Sequence, residues 1–165
     1  PQRLLGTYRL SLVYPRSWGP PPAVDEVPDW ARGRPFVTFE PGQTLRNHAM
    51  DFLGRGGAPA HPTISTSGSS SVKRCVEEGL GFAVIPTWCV GPDDTEVVSV
   101  KLTNLPEVRV YFGCAGYLRN NPAVQDLFEI CRGRLVGEVL EEAVGEDAAT
   151  ASSLGAPAGA ASYKK

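Results

Sequence analysis

The chain of 165 residues contains only two histidines, His48 and His61, and four scattered cysteines with no Cys-x-x-Cys pair. Neither histidine falls near a cysteine in sequence, so the ligand spacing of a structural zinc site is missing. Catalytic punctuation is missing as well: there is no Gly-x-Ser-x-Gly elbow, no phosphate loop and no His-Glu-x-x-His. His48 lies at the edge of an apolar helix stripe and His61 between Ala60 and Pro62, neither with an acidic partner in a recognisable motif. The expectation is therefore no enzyme, no cofactor and no metal. No apolar run approaches the ~18 residues of a membrane helix, and no basic-apolar-small leader opens the sequence. Charge of one sign is lacking too. The 16 Lys+Arg and 18 Asp+Glu leave a net charge of -2, which supplies no basic footprint for nucleic acid. Lys73-Arg74 is the nearest approach, and two cations on a helix read as a solvated face.

The cysteines divide by context. Cys75 and Cys131 fall on the apolar faces of their helices and Cys114 in an alternating strand, as small buried side chains of a reducing compartment. Cys89 follows Trp88 in a loop and is the one candidate redox or ligand contact. No basic neighbour in sequence lowers its thiol pKa.

The most informative feature present is Cys75-Val76-Glu77-Glu78-Gly79-Leu80-Gly81 running into Phe82-Ala83-Val84-Ile85-Pro86. It reads as a helix stopped by a glycine at positive φ, with Leu80 folding back onto Cys75. Gly81 then admits an uncharged strand buried on both faces. Gly79-Leu80-Gly81 lacks a third glycine and precedes a strand, so it is no dinucleotide fingerprint.

Other elements follow from period and punctuation. Tyr8, Leu10, Leu12 and Tyr14 alternate with less apolar neighbours as in a half-buried strand. Residues 15–35 are Pro-rich and expected to be irregular, with Pro20-Pro21-Pro22 extended and Trp18 and Trp30 pinning the excursion. Residues 36–39 form a buried strand, and Leu45, Ala49, Phe52 and Leu53 recur at helical spacing until Gly54 to Gly57. Residues 63–67 form a strand, followed by a Ser-capped helix with Val72, Cys75 and Val76 inward. Residues 97–102 and 108–117 are strands separated by a turn at Asn104-Leu105-Pro106. Asn121 caps a last helix that starts at Pro122 and lines up Val124, Leu127, Phe128, Cys131 and Leu135. Past Gly145 the chain is Ala-, Ser- and Gly-rich and expected to be disordered.

This order of motifs resembles the second regulatory subdomain of LysR-type transcriptional regulators. The strand around Tyr8 to Pro15, the strand–turn–helix of Arg34 to Arg46, the Gly79-Leu80-Gly81 junction, the strand from Val108 and the Asn121-Pro122 helix carry the resemblance over roughly 130 residues, one domain's worth. It implies an α/β fold: a periplasmic-binding-protein-like subdomain with a mixed, mainly parallel sheet flanked by helices. Residues 1–136 would form the effector-binding subdomain, whose closing strand and helix return to a first subdomain, and residues 137–165 a helix end and tail. The winged helix-turn-helix, linker helix and first subdomain of the family do not precede Pro1, so the chain reads as a fragment. The resemblance further implies a cytoplasmic regulator that binds a small-molecule effector, forms a dimer or tetramer, and contacts DNA only through the absent N-terminal domain. The last helix would then be incompletely covered at Val124, Leu127 and Phe128.

In an open α/β sheet, ligands sit beyond the carboxyl ends of strands where strand order reverses. With residues 36–39 and 82–85 as adjacent parallel strands, the crevice is lined by Phe39, Glu40, Pro41, Gly42, Gln43 and Thr44 on one side and by Pro86 and Thr87 on the other. The helix starting near Thr44 offers free N–H groups and a partial charge of roughly +0.5, suited to a small anion. Glu40 opposes an anion unless it points away or pairs with an effector amine. Thr66 and Ser67 are further candidates, although capping accounts for the hydroxyl cluster of residues 66–71. A lobe of an exported solute-binding protein, or a related binding-protein-like enzyme, shares this architecture and is the alternative reading.

Overall fold

Gly79, at φ 78°, ends helix α3 (Ser69–Glu77) in the left-handed conformation expected of it. The Leu80 N–H bonds the Cys75 carbonyl at 3.0 Å and the Gly79 N–H bonds the Val76 carbonyl at 2.9 Å, the paired pattern that satisfies the last carbonyls of a helix. Two residues later the chain enters strand β5 (Ala83–Pro86), buried at every position. Between them, Gly81 passes so close to another strand that a Cβ would stand 2.6 Å from the Pro35 carbonyl oxygen. Only glycine fits there.

The structure is a computed structural model that describes residues 2–55, 61–137 and 139–141. Its other elements are β1 (Gln2–Tyr8), β2 (Leu10–Pro15), α1 (Val27–Ala31), β3 (Phe36–Phe39), α2 (Thr44–Gly54), β4 (Pro62–Thr66), β6 (Val97–Lys101), β7 (Val108–Gly113) and α4 (Pro122–Leu135). The glycine break expected to reach Gly57 and the disorder expected past Gly145 lie outside the described residues.

Strand β2 pairs antiparallel with both β5 and β6, while β3 and β4 form a parallel pair. A single parallel bridge, Phe36 with Phe82, joins the two sets. It consists of the Phe82 N–H on the Pro35 carbonyl at 3.0 Å and the Val37 N–H on the Phe82 carbonyl at 2.8 Å. The strands around residues 36–39 and 82–85 are thus parallel neighbours as expected, but only where they begin. Beyond the bridge they share no ladder and belong to separately hydrogen-bonded sheets, β5 pairing with β2 along its other edge. In the order β4-β3-β5-β2-β6, four strands run one way and β2 alone is reversed. The sheet is mixed and mainly parallel in direction, although β2 makes its ladders antiparallel.

The single strand expected across residues 8–14 is in fact two, broken at Arg9. β2 is buried at every residue instead of alternating, since it is central and covered on both faces. Leu10, Leu12 and Tyr14 face one cluster with Phe36, Phe82, Val27, Ala49, Phe52 and Leu53; Val13 faces the other, with Val37, Phe39, Ile85 and α3 residues Val72 and Val76. Residues 15–35 are more regular than expected. They hold two 3-10 turns and α1, whose first turn tolerates Pro28 and whose Val27 and Ala31 are buried. Trp30 does pin this excursion, its ring lying 4.9 Å from Tyr14, 5.6 Å from Phe82 and 6.1 Å from Trp18.

A smaller unit stands beside the main sheet. β1 and β7 pair antiparallel, α4 packs on β1, and Leu5, Phe128 and Leu140 form a separate apolar cluster. β7 ends at Gly113, short of the expected Tyr117, and a 3-10 turn over Gly116–Leu118 follows. Asn121 caps α4 as expected, its side chain accepting from the Ala123 N–H at 2.9 Å. Of the three α4 residues expected to lack cover, Leu127 is 50% exposed and Val124 half-buried, whereas Phe128 is buried against Leu5 and Leu140 within this chain. After α4, residues 139–141 return to β1, with Thr7 and Glu141 exchanging two backbone bonds.

The two glycines of the α3–β5 junction differ in what they protect. Gly79→Ala should cost about 1–2 kcal/mol through its backbone conformation alone, since nothing lies near its missing Cβ. Gly81→Ala should cost more, because it parts β3 from β5; urea denaturation of both variants checks the order.

Candidate functional site

The β3–α2 turn is built by one glycine and two polar side chains. Gly42 sits at φ 90°, which lets the chain reverse from Pro41 into α2. The Gln43 N–H closes the turn onto the Glu40 carbonyl at 3.4 Å, and the Asn47 N–H makes the first helical bond to the Gln43 carbonyl. Gln43 is the N-cap residue, yet its side chain does not cap; Nε2 donates to the Ser67 carbonyl at 3.3 Å. The start of α2 therefore presents backbone N–H groups with no side-chain cap, beside the exposed Thr44.

Arg46, absent from the expected site, holds this turn from behind. One guanidinium nitrogen donates to the Phe39 carbonyl at 2.8 Å and to Ser65 Oγ at 3.0 Å, tying α2 to the ends of β3 and β4. A sequence signal for it existed. A cation in the first turn of a helix opposes the macrodipole, and such a local conflict calls for a tertiary partner.

The candidate residues take different places. Glu40, Pro41, Gly42 and Thr44 are exposed at the turn and Gln43 is half-buried; Ser67 is exposed, Thr66 half-buried, and both are brought to the turn through Gln43. Phe39 is 2% exposed and belongs to the α3-side core, so its side chain lines no crevice. Pro86 is buried at the end of β5. Thr87 turns inward: its N–H and Oγ1 both donate to the Arg9 carbonyl, at 2.9 and 2.8 Å, and Oγ1 accepts from Ser11 Oγ at 3.2 Å. Capping does not account for the hydroxyl cluster. Gly68 is the N-cap of α3 and has no side chain to cap with; its carbonyl accepts the first helical bond, from the Val72 N–H. Ser69 instead lies beside Cys89, and its hydroxyl and the Lys73 ammonium both act to lower that thiol's pKa. A cation absent from the sequence neighbourhood of Cys89 is thus supplied by the fold. Burial still dominates and pushes the thiol pKa up, against a reactive role.

Lys73 is engaged elsewhere. Its Nζ lies 2.9 and 3.0 Å from the two Asp94 carboxylate oxygens and 3.7 Å from Glu77. The hydrogen bond from Lys73, with a second from the Gly91 N–H, holds the Asp94 carboxyl below its ordinary value of 3.8. A cavity of about 330 Å³ lies between β1, β7 and α4, where Arg3, Cys114, Arg119 and Phe128 line it. None of the expected site residues reaches it. Among the described residues, no group of histidine, cysteine or carboxylate side chains is arranged to hold a metal ion, and no helix is long and apolar enough to cross a membrane.

The family model described as the LysR substrate binding domain matches residues 2–136. The chain belongs to that family. No curated protein matches the sequence. Among solved structures, this LysR substrate-binding domain is similar to HinK, a LysR family transcriptional regulator from Pseudomonas aeruginosa, with 16% identity and a TM-score of 0.61 over 82% of this chain and 48% of that one. The cofactor-binding domain of the Cbl transcriptional regulator is 20% identical, with a TM-score of 0.64 over 84% of this chain and 61% of its own. The CcmR regulatory domain of Synechocystis, solved in complex with 2-PG, is 12% identical, with a TM-score of 0.62 over 81% of this chain and 65% of its own. The chain thus spans about half the length of the HinK structure and under two thirds of these regulatory domains.

Two outcomes test this construction. Arg46→Ala leaves the Phe39 carbonyl and Ser65 hydroxyl without their donor and should cost about 1.5 kcal/mol by denaturant melting, with faster hydrogen exchange in residues 40–43. For Asp94 the sign follows from its lowered pKa. Its link to Lys73 stabilises the fold above the ordinary aspartate value and is lost as pH falls through the folded one. Residues 91–95 should loosen below about pH 4 in wild type, and Asp94→Asn should remove that acid dependence from their hydrogen exchange.

Proposed function

We propose that this chain is the ligand-facing part of the effector-sensing domain of a LysR-type DNA-binding transcriptional regulator, and that it takes a small anionic metabolite at the turn of Gly42, Gln43 and Thr44. The observation that carries the reading is the uncapped N-terminus of α2, set behind a positive-φ glycine and fastened to the β4–α3 loop by Gln43 and to the ends of β3 and β4 by Arg46. Unpaired N–H groups and the positive end of a helix dipole favour a carboxylate or phosphate at that point. Glu40, Pro41, Thr66 and Ser67 surround the turn, while Phe39 and Pro86 are buried in the scaffold and Thr87 is bonded to the Arg9 carbonyl. A regulatory domain of similar fold was solved with 2-PG, and another is described as cofactor-binding, which supports a small-molecule role here.

The regulator reading includes DNA contact through a domain outside this chain, a dimer or tetramer of the full-length protein, a cytoplasmic location and no catalysis. The family match and the LysR regulators among the structural neighbours favour it over the lobe of an exported solute-binding protein.

The test begins with a thermal-shift screen of the full-length protein against small carboxylates and phosphates, followed by calorimetric titration of the best stabiliser. Thr44→Ala removes an exposed hydroxyl without touching the cap, which belongs to Gln43, and should weaken binding by about 1 kcal/mol, roughly fivefold. A Cβ at Gly42 projects into open space, so Gly42→Val places its side chain in the ligand's path and should abolish binding. Unchanged affinity in both variants, with wild-type melting, would overturn the assignment.

A further inference from the structure

The chain crosses twice between the main sheet and the smaller β1–β7–α4 unit: at Arg9, between β1 and β2, and across residues 102–107, between β6 and β7. One residue holds both crossings. The Arg9 carbonyl takes the two Thr87 bonds described above, and Ser11 Oγ orients the Thr87 hydroxyl toward it. The Arg9 guanidinium reaches the second crossing, donating to the Leu105 carbonyl at 3.3 Å and to Glu107 Oε1 at 2.7 Å. The Arg9–Glu107 pair is only 26% and 35% exposed, so it is less screened than an open surface ion pair. Thr87 directly follows Pro86 at the end of β5.

We infer that Thr87 is a positioning residue: with Arg9 and Glu107 it forms a brace that sets the angle between the main sheet and the β1–β7–α4 unit. Its hydroxyl proton is committed to the Arg9 carbonyl, so Thr87 acts through the crossing strand and does not donate to a ligand. Around this brace, Tyr8 and Val108 pack against the main core, and the exposed Lys101–Glu141 pair adds a further tie among the described residues. The bearing on effector capture rests on the function proposed above; the orientation itself does not.

The experiment measures that orientation without ligand. Clickable non-natural residues at the exposed positions Asn47, on α2, and Asp126, on α4, carry spin labels in the full-length protein and leave the native cysteines untouched. Distance distributions are recorded by double electron–electron resonance for wild type, Thr87→Val, Thr87→Ser and Glu107→Gln. The expected result is a shifted and broader distribution for Thr87→Val and Glu107→Gln, and the wild-type distribution for Thr87→Ser, which keeps the hydroxyl. Wild-type distributions in both Thr87→Val and Glu107→Gln, at wild-type melting temperature, would overturn the brace. Should Thr87→Val fold poorly, Glu107→Gln at the half-exposed end of the brace decides alone. Failure of the brace leaves the ligand assignment standing, and loss of the ligand assignment leaves these distances unchanged.

Discussion

The approach of Gly81 to the Pro35 carbonyl joins the two hydrogen-bonded halves of the main sheet. On one side lie β3 and β4, on the other β5, β2 and β6, and the Phe36–Phe82 bridge is their one backbone pairing. Two hydrogen bonds alone would be a slender joint. The surrounding rings reinforce it: Phe36 stacks on Phe82 at 5.0 Å, and Trp30 closes over Phe82 from the edge. Gly79 contributes by delivering the chain to Gly81 at the right angle, so the helix stop, the close approach and the aromatic cluster act on one locus.

The same joint shapes the candidate site. Because β3 and β5 pair only where they begin, their carboxyl ends are not held together by a ladder, and side chains take over the tying. Gln43 and Arg46 fasten the β3–α2 turn to β4 and its following loop. Thr87 fastens the end of β5 to the crossing strand at Arg9. Each of these side chains spends on scaffold bonds the hydrogen-bonding capacity that a ligand would otherwise use. What stays open is backbone: the first N–H groups of α2, beside Thr44. Arg46 adds positive charge at that end of the helix, unfavourable to the macrodipole but favourable to an anion.

Sequence and structure agree best where one residue has one local task. Gly79 at positive φ, Asn121 capping α4, and Ala49, Phe52 and Leu53 facing the core are set by backbone sterics or helical period, which operate within a few residues. The uniform apolarity of residues 82–85 likewise forecasts burial on both faces. Period misled at β2, where Ser11 and Arg9 looked like the polar side of a half-buried strand. Ser11 is buried because Thr87, 76 residues away, partners it. The serine cluster ahead of α3 misled in the same way, since capping propensity cannot foresee that a glycine would occupy the N-cap and Ser69 turn to Cys89.

The sequence by itself determined the elements from β3 to β5, the last helix and the family, because glycine conformation, helix capping and hydrophobic period are local properties. It also located the turn of Gly42 to Thr44, since a glycine before a helix start is a local signal. Tertiary structure alone decided which strands pair, how far β3 and β5 run together, and which polar side chains are already spent. Phe39 left the site because its side chain completes the α3-side core, Thr87 because the Arg9 carbonyl claims its hydroxyl, and Arg46 entered because β3 and β4 end beside it. Those assignments depend on the fates of hydrogen-bond donors across tens of residues, and only the folded chain brings donor and acceptor together.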